Sequence, residues 1–269
     1  MAASDSLKAE YPPILTNPID VKGEWHAPPR SAALVVGRMR EACCSGFRIL
    51  SDRQPSKLLV ENRSSGPPAV WLHQDDKKIA IIFVDVGERA WSQLAYQFGH
   101  ELGHVVSNSW DSQSKPSAPC QWVEELVVES FSLRGLATLA ATWKKIPPFP
   151  GDSDYGNEIS RYRNNVILQY QQLASSQGLD NSGHWFARNR QALEDFVGLS
   201  DYAKAAVPLL LPALMKNPML LEDISALNLW KERTALPLNE YLDQWRLSCK
   251  RIGSAGLLPD FIQKKFFSN

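Results

Sequence analysis

The sequence has no surplus of charge in either direction: 29 Lys and Arg balance 29 Asp and Glu over 269 residues. A dedicated nucleic-acid binder carries a basic excess, because phosphate contacts supply much of its affinity, so no nucleic-acid partner is expected. Long apolar runs are missing as well. The longest, AAVPLLLPALM at residues 205–215, is interrupted by Pro208 and Pro212 and falls short of the roughly 18 residues that a membrane span needs. No membrane association is expected. The opening MAASDSLKAEYPPIL lacks the basic start and apolar core of a secretory signal. Cysteines are scarce: Cys43, Cys44, Cys120 and Cys249 are too scattered for a disulfide framework in a chain of this size. These absences together point to a cytoplasmic protein.

What is present is an ordinary globular mixture, 44% hydrophobic and 22% charged, rather than the composition of a disordered chain. Residues 1–30 hold Pro12, Pro13, Pro18, Pro28 and Pro29 with little periodicity and read as an extended N-terminal arm. The pattern SAALVVGRMREACC suits a short helix over residues 31–44. Three β-prone runs follow, KLLVEN, AVWLH and KIAIIFVDV, separated by the turn-rich pieces RSSGPP and QDDKK. They predict a small, mostly antiparallel sheet with residues 79–86 as its strongest strand. Helices are expected over residues 88–108 and 121–143, on either side of the loop SWDSQSKPSAP. The segment KKIPPFPGDSDYG breaks the chain, and everything after it reads as helical, with breaks near Gly178, Pro208, Pro218, Pro237 and Gly256. The expected fold class is α+β: a small antiparallel sheet packed on the first central helix, then a mainly helical C-terminal half. The chain divides on this reading into the arm at 1–30, a core at 31–145 and a helical subdomain at 146–269.

The chemistry concentrates in YQFGHELGHVV. His100 and His104 lie four apart on a helix, so both imidazoles project from one face and can reach a single metal ion. Glu101 follows the first of them, which puts its carboxylate beside a metal-bound water as a general base rather than on the metal. Zinc lowers the pKa of that water towards neutrality, and the carboxylate takes the proton as the water attacks. Gly103, between the two histidines, costs helix stability and can let another backbone approach closely. A third protein ligand is needed, and the helix QWVEELVVESFSLRGL supplies it. Glu125 is preferred over Glu124, because it alone has an acidic partner one turn on, Glu129, able to accept a hydrogen bond from a ligand histidine. Glu124 points about 100° away. Without the upstream histidines, this acidic group would read as a solvated helix face.

FGHELGHVV followed by EELVVESFS resembles the gluzincin-type zinc metallopeptidases, in which the third ligand is a glutamate on the next helix. The spacing is similar to that of thermolysin-like enzymes, with Glu129 four positions after Glu125. It also resembles the ImmA/IrrE group, in which Glu125 falls on the ligand and Phe131 on a conserved aromatic position. Val127 and Ser132 depart from that group's pattern. The resemblance covers residues 70–140 and implies a zincin-like core, a Zn2+ cofactor and peptidase chemistry on a peptide or protein substrate. The strand before the active-site helix often holds an extended peptide in such families, which puts residues 79–86 in place for edge pairing; the same strand can equally be internal and fully paired.

A group that stabilises the oxyanion normally faces the metal from the C-terminal half. His184, in NSGHWFARN, is the candidate, with Tyr155 and Tyr162 as rivals. Cys43 and Cys44 can in principle complete a zinc site but read better as buried thiols. Trp91, Trp110 and Trp122 flank the metal helices, either as core or as walls of a pocket. Two functions remain open: an active zinc metallopeptidase, or a regulatory or binding protein on the same scaffold. Glu101 favours the first, because a purely structural metal site has no use for that carboxylate. Substrate and oligomeric state are not encoded in any of these motifs.

Overall fold

The computed structural model describes residues 13–267 apart from 74 and 77; residues 1–12 of the expected arm lie outside that range. A short helix, α1 (Pro13–Thr16), leads into β1 (Ile19–Gly23), α2 (Pro29–Cys43), β2 (Lys57–Asn62), β3 (Ala69–Trp71) and β4 (Ile79–Val84). The two central helices are α3 (Trp91–Val106) and α4 (Gln121–Lys145). They are followed by α5 (Tyr155–Ser176), α6 (Ser182–Glu194), α7 (Asp201–Lys216), α8 (Leu238–Ile252) and α9 (Leu257–Phe267). Short 3-10 helices occupy Pro218–Ala226 and Arg233–Ala235, between α7 and α8. The fold class is α+β, as expected, and no helix among the described residues is long and apolar enough to cross a membrane.

The sheet corrects the expectation of mostly antiparallel pairing. Its order is β1-β2-β4-β3. β1 runs parallel to β2 from Ile19↔Leu58 to Gly23↔Asn62, and β2 runs parallel to β4 from Lys57↔Ile79 to Asn62↔Val84. Only β3 is antiparallel, pairing Val70 with Ile82. The turn RSSGPP looked like a hairpin between neighbours, yet β4 inserts between β2 and β3. Residues 19–23, read as part of the arm, form an edge strand, and α2 is the crossover that a parallel β1–β2 pair requires. β4 is therefore paired on both sides, and the sheet edge beside the central helices belongs to β3.

Alternation along β2 and β4 buries Leu58, Val60, Ala80, Ile82 and Val84 on one face, where α2 and α3 pack. One continuous core runs from Ile14 to Phe266 and joins the sheet to the C-terminal helices. Its axis is α4, buried on every side from Gln121 to Leu136 and flanked by α2, α3, α5 and α7. Helix α7 continues through Pro208, where a break was expected, and through Pro212. Each proline forfeits one intrahelical hydrogen bond, but Pro212 is exposed and Pro208 half-buried. The other face buries Val207, Leu210, Leu211 and Leu214, and that burial holds the helix together.

Candidate metal centre

α3 and α4 can carry a shared site because they touch almost backbone to backbone. A Cβ on Gly103 would lie 2.7 Å from the Val128 Cβ, closer than two packed carbons allow, so only glycine permits this approach. At Gly99, one turn earlier, a Cβ would meet Met39 Cε at 2.5 Å and Ser132 Oγ at 2.8 Å. The close approach foreseen at Gly103 is thus made by a helix, α4.

Across this contact His100 and His104 stand with ring centroids 5.1 Å apart. Their Nε2 atoms converge on one carboxylate: His100 Nε2 lies 3.3 Å from Glu125 Oε2, and His104 Nε2 lies 3.6 Å from Glu125 Oε1. Ligand atoms of His100, His104 and Glu125 fall within 4.8 Å of one another, and this group could hold a metal ion. Gln121 Nε2 donates to Glu125 Oε1 at 3.0 Å and fixes the carboxylate's orientation. The far nitrogens are also engaged. His100 Nδ1 meets Glu129 Oε2 at 2.7 Å, and His104 Nδ1 meets Glu124 Oε1 at 2.7 Å. With both Nδ1 positions facing carboxylates, the Nε2 lone pairs are left for an ion.

Glu129 and Glu124 are completely buried. A buried carboxylate is tolerated only when its oxygens are satisfied. Glu129 Oε1 accepts from Tyr96 at 2.8 Å and from Tyr170 at 2.9 Å. Glu124 Oε1 also accepts from Ser107 Oγ at 3.1 Å, while Oε2 accepts from Asn228 Nδ2 at 2.9 Å and Arg233 Nη2 at 3.2 Å.

The charge balance follows from these contacts. Burial works against protonated imidazoles, but the hydrogen bonds from His100 to Glu125 and Glu129 outweigh it and hold the His100 pKa well above its usual value. For His104, burial is likewise overcome by Glu125 and Glu124, which push it up to about 10. Burial would raise Glu125, yet His104 and His100 hold it well below the usual carboxylate range. A cation binding here would displace the Nε2 protons of these imidazoles and leave those on Nδ1 facing the carboxylates. Glu101, itself 5% exposed, is raised chiefly by burial, and the neighbouring His100 and His104 partly offset the rise.

A cavity of about 500 Å³ opens onto this group. Val70, Leu72, Leu199 and Pro116 are among its walls, and Tyr96, Gln121, Arg233 and the metal group also line it. The structure brings His100, Glu101, His104 and Glu125 together and leaves His184 out. Asn181 caps α6 by accepting the His184 backbone N–H at 3.0 Å, and Trp185 and Phe186 turn into the core, so the His184 ring is carried outward to solvent. Tyr155 OH accepts from the Ser92 N–H at 3.2 Å, and Tyr162 packs on Tyr96; neither lines the cavity. Cys43 and Cys44 are buried free thiols on the Gly99 side of α3, and burial pushes Cys44 up to about 12. Trp122 is core, tilted against Phe186 and edge-to-face with Phe266.

Five participants were not foreseen as such. Glu124 was set aside because it points away from Glu125, and that direction is what lets it reach the back of His104. Tyr96 lies four residues before His100, a spacing that could have flagged it. Tyr170, Asn228 and Arg233 lie far downstream and carry no local signal. Comparison with known protein families, curated proteins and solved structures yields no match to this chain.

Proposed function

We propose that this chain is a zinc-dependent hydrolase that cleaves peptide bonds in a peptide or protein substrate. The observation that carries this reading is the convergence of two imidazole nitrogens and one carboxylate beside a further buried carboxylate, Glu101, at the wall of a cavity. Two nitrogen donors with one oxygen suit zinc and disfavour magnesium or calcium, which take oxygen ligands. Only three donors group here among the described residues, the number that leaves a fourth position open for chemistry, whereas structural zinc sites are closed by four.

Bound in this group, zinc supplies Lewis-acid polarisation of a carbonyl and a water nucleophile active at neutral pH. The residues do the rest. His100, His104 and Glu125 hold the ion, and Gln121 keeps the Glu125 carboxylate facing it. Glu101 takes the proton from the attacking water and passes it to the leaving amine. The outer edge of β3 presents backbone groups to an extended chain, a role considered above for β4, which is paired on both sides. Val70, Leu72 and Leu199 keep bulk water from the reacting bond.

The test is elemental mass spectrometry of the purified protein beside His100→Ala, followed by a peptide-library cleavage screen. About one zinc per chain, lost in the variant, is expected. Glu101→Gln should keep the metal and lose turnover by about 10²- to 10⁴-fold. A protein that binds no zinc when supplied with it, or a Glu101→Gln variant of unchanged activity, would overturn the assignment.

A further inference from the structure

Glu124 is one of the points where the C-terminal half reaches the metal group. Its partners are His104 Nδ1 and Ser107 Oγ on one oxygen, and the donors Asn228 Nδ2 and Arg233 Nη2 on the other. A carboxylate surrounded in this way is an acceptor only. The Nδ1 of His104 must then carry a proton, and Nε2 is the nitrogen turned towards Glu125 and available to an ion.

The two remote donors come from one stretch, and both hold unusual backbone. Asn228 has φ 58° and Arg233 has φ 44°, in the left-handed region that non-glycine residues avoid. Both are buried, at 2% and 6% exposure. Strained backbone of this kind persists where the surroundings over-determine it, and it clusters at functional sites. The Arg233 guanidinium touches the cavity, yet its terminal nitrogens are committed to the Ser114 carbonyl, to Ser109 Oγ at 2.6 Å and to Glu124. It is therefore poorly placed to be a substrate anchor. Asn228 reinforces the same frame through Ser107 O at 3.1 Å and Ser109 Oγ at 2.9 Å.

We propose that Arg233, assisted by Asn228, is a positioning residue for the metal centre: through Glu124 it fixes the orientation and proton placement of His104. The inference rests on the metal-binding reading above. Its consequence is that a site whose ligands all lie within residues 100–125 is completed by a loop more than 100 positions downstream of Glu124.

The experiment measures Zn2+ affinity by competition with a chelating dye, and the visible absorption of the Co2+-loaded protein, in the full-length chain. Wild type is compared with Arg233→Met, Arg233→Lys, Glu124→Gln and the double variant Arg233→Met/Glu124→Gln. We expect Arg233→Met to weaken zinc binding about 10- to 100-fold and to alter the Co2+ spectrum, as loss of a ligand's outer support does. Arg233→Lys should recover part of this loss. Because Arg233 acts through Glu124, adding Arg233→Met to Glu124→Gln should cost little more. Unchanged affinity and spectrum in Arg233→Met, or losses that simply add in the double variant, would overturn the proposal. Should Arg233→Met not fold, Arg233→Lys and Asn228→Ala are run through the same cycle with Glu124→Gln, with a smaller loss expected. A wild-type protein that takes up neither ion would sink the metal centre itself, a failure visible before any variant is made.

Discussion

The two histidines of the centre are held from behind by unlike supports. His100 rests on Glu129, whose other oxygen is satisfied by two neutral phenols, Tyr96 and Tyr170. His104 rests on Glu124, whose other oxygen meets a guanidinium, Arg233, together with the Asn228 amide. The first support is assembled from three regular helices, α3, α4 and α5. The second reaches through a strained loop of the C-terminal half. Near-identical ring contacts, both 2.7 Å, therefore sit on carboxylates with different further partners: phenol dipoles on one side, a guanidinium charge and an amide on the other.

That contrast can be broken most sharply by removing each carboxylate in turn. Glu124→Ala strands a buried guanidinium and should cost about 3–5 kcal/mol in urea unfolding of the metal-free protein. Glu129→Ala leaves only phenols and an imidazole unpaired, so about 1–3 kcal/mol is expected. Equal costs would mean that Arg233 finds other compensation and that the two sides do not differ. Metal removal comes next. If zinc is present at about 100 times its dissociation constant, chelation should lower stability by about 2.7 kcal/mol, read as a fall in Tm. That increment should shrink in both carboxylate variants. Gly103→Ala sharpens the comparison from another direction, because it pushes α3 from α4 and disturbs both histidines equally. Overpacking against Val128 should cost about 1–3 kcal/mol. The smallest effect is expected from Tyr170→Phe, which removes one of three hydrogen bonds to Glu129 for about 1 kcal/mol. A loss near that of Glu129→Ala would show that the phenols carry most of the His100 support.

The His100 side was largely readable from the chain and the His104 side was not, for a physical reason. Helical spacing links His100 to His104 and Glu125 to Glu129, since side chains three or four apart share a face. The acidic residues of α4 could not be told from a solvated face by pattern alone; it is the burial of α4 on every side that makes each carboxylate need a partner. Asn228 and Arg233 are brought in by tertiary packing of irregular backbone, which leaves no periodic trace. The sheet failed in a similar way. Short β-prone runs gave the strands β2, β3 and β4, but pairing depends on which strand inserts between which, and the chain passes from β2 to β3 before β4 fills the gap. Pro208 misled because local propensity was weighed without the buried face of α7. His184 misled because a helix start with two aromatic core residues sends its third polar neighbour outward.

The depth of α4 has a consequence for timing. Backbone amides in a helix enclosed by four others exchange with solvent only when the whole domain opens. The carboxylates on α4 are therefore carried by what should be the slowest-exchanging segment of the molecule. Stripping the ion should leave the amides around Glu124 and Glu125 protected, with faster deuterium uptake confined to β3 and to the loop that holds Asn228 and Arg233. The proposed site on this view is a rigid seat, and the parts free to move are the lip above it and the brace behind it.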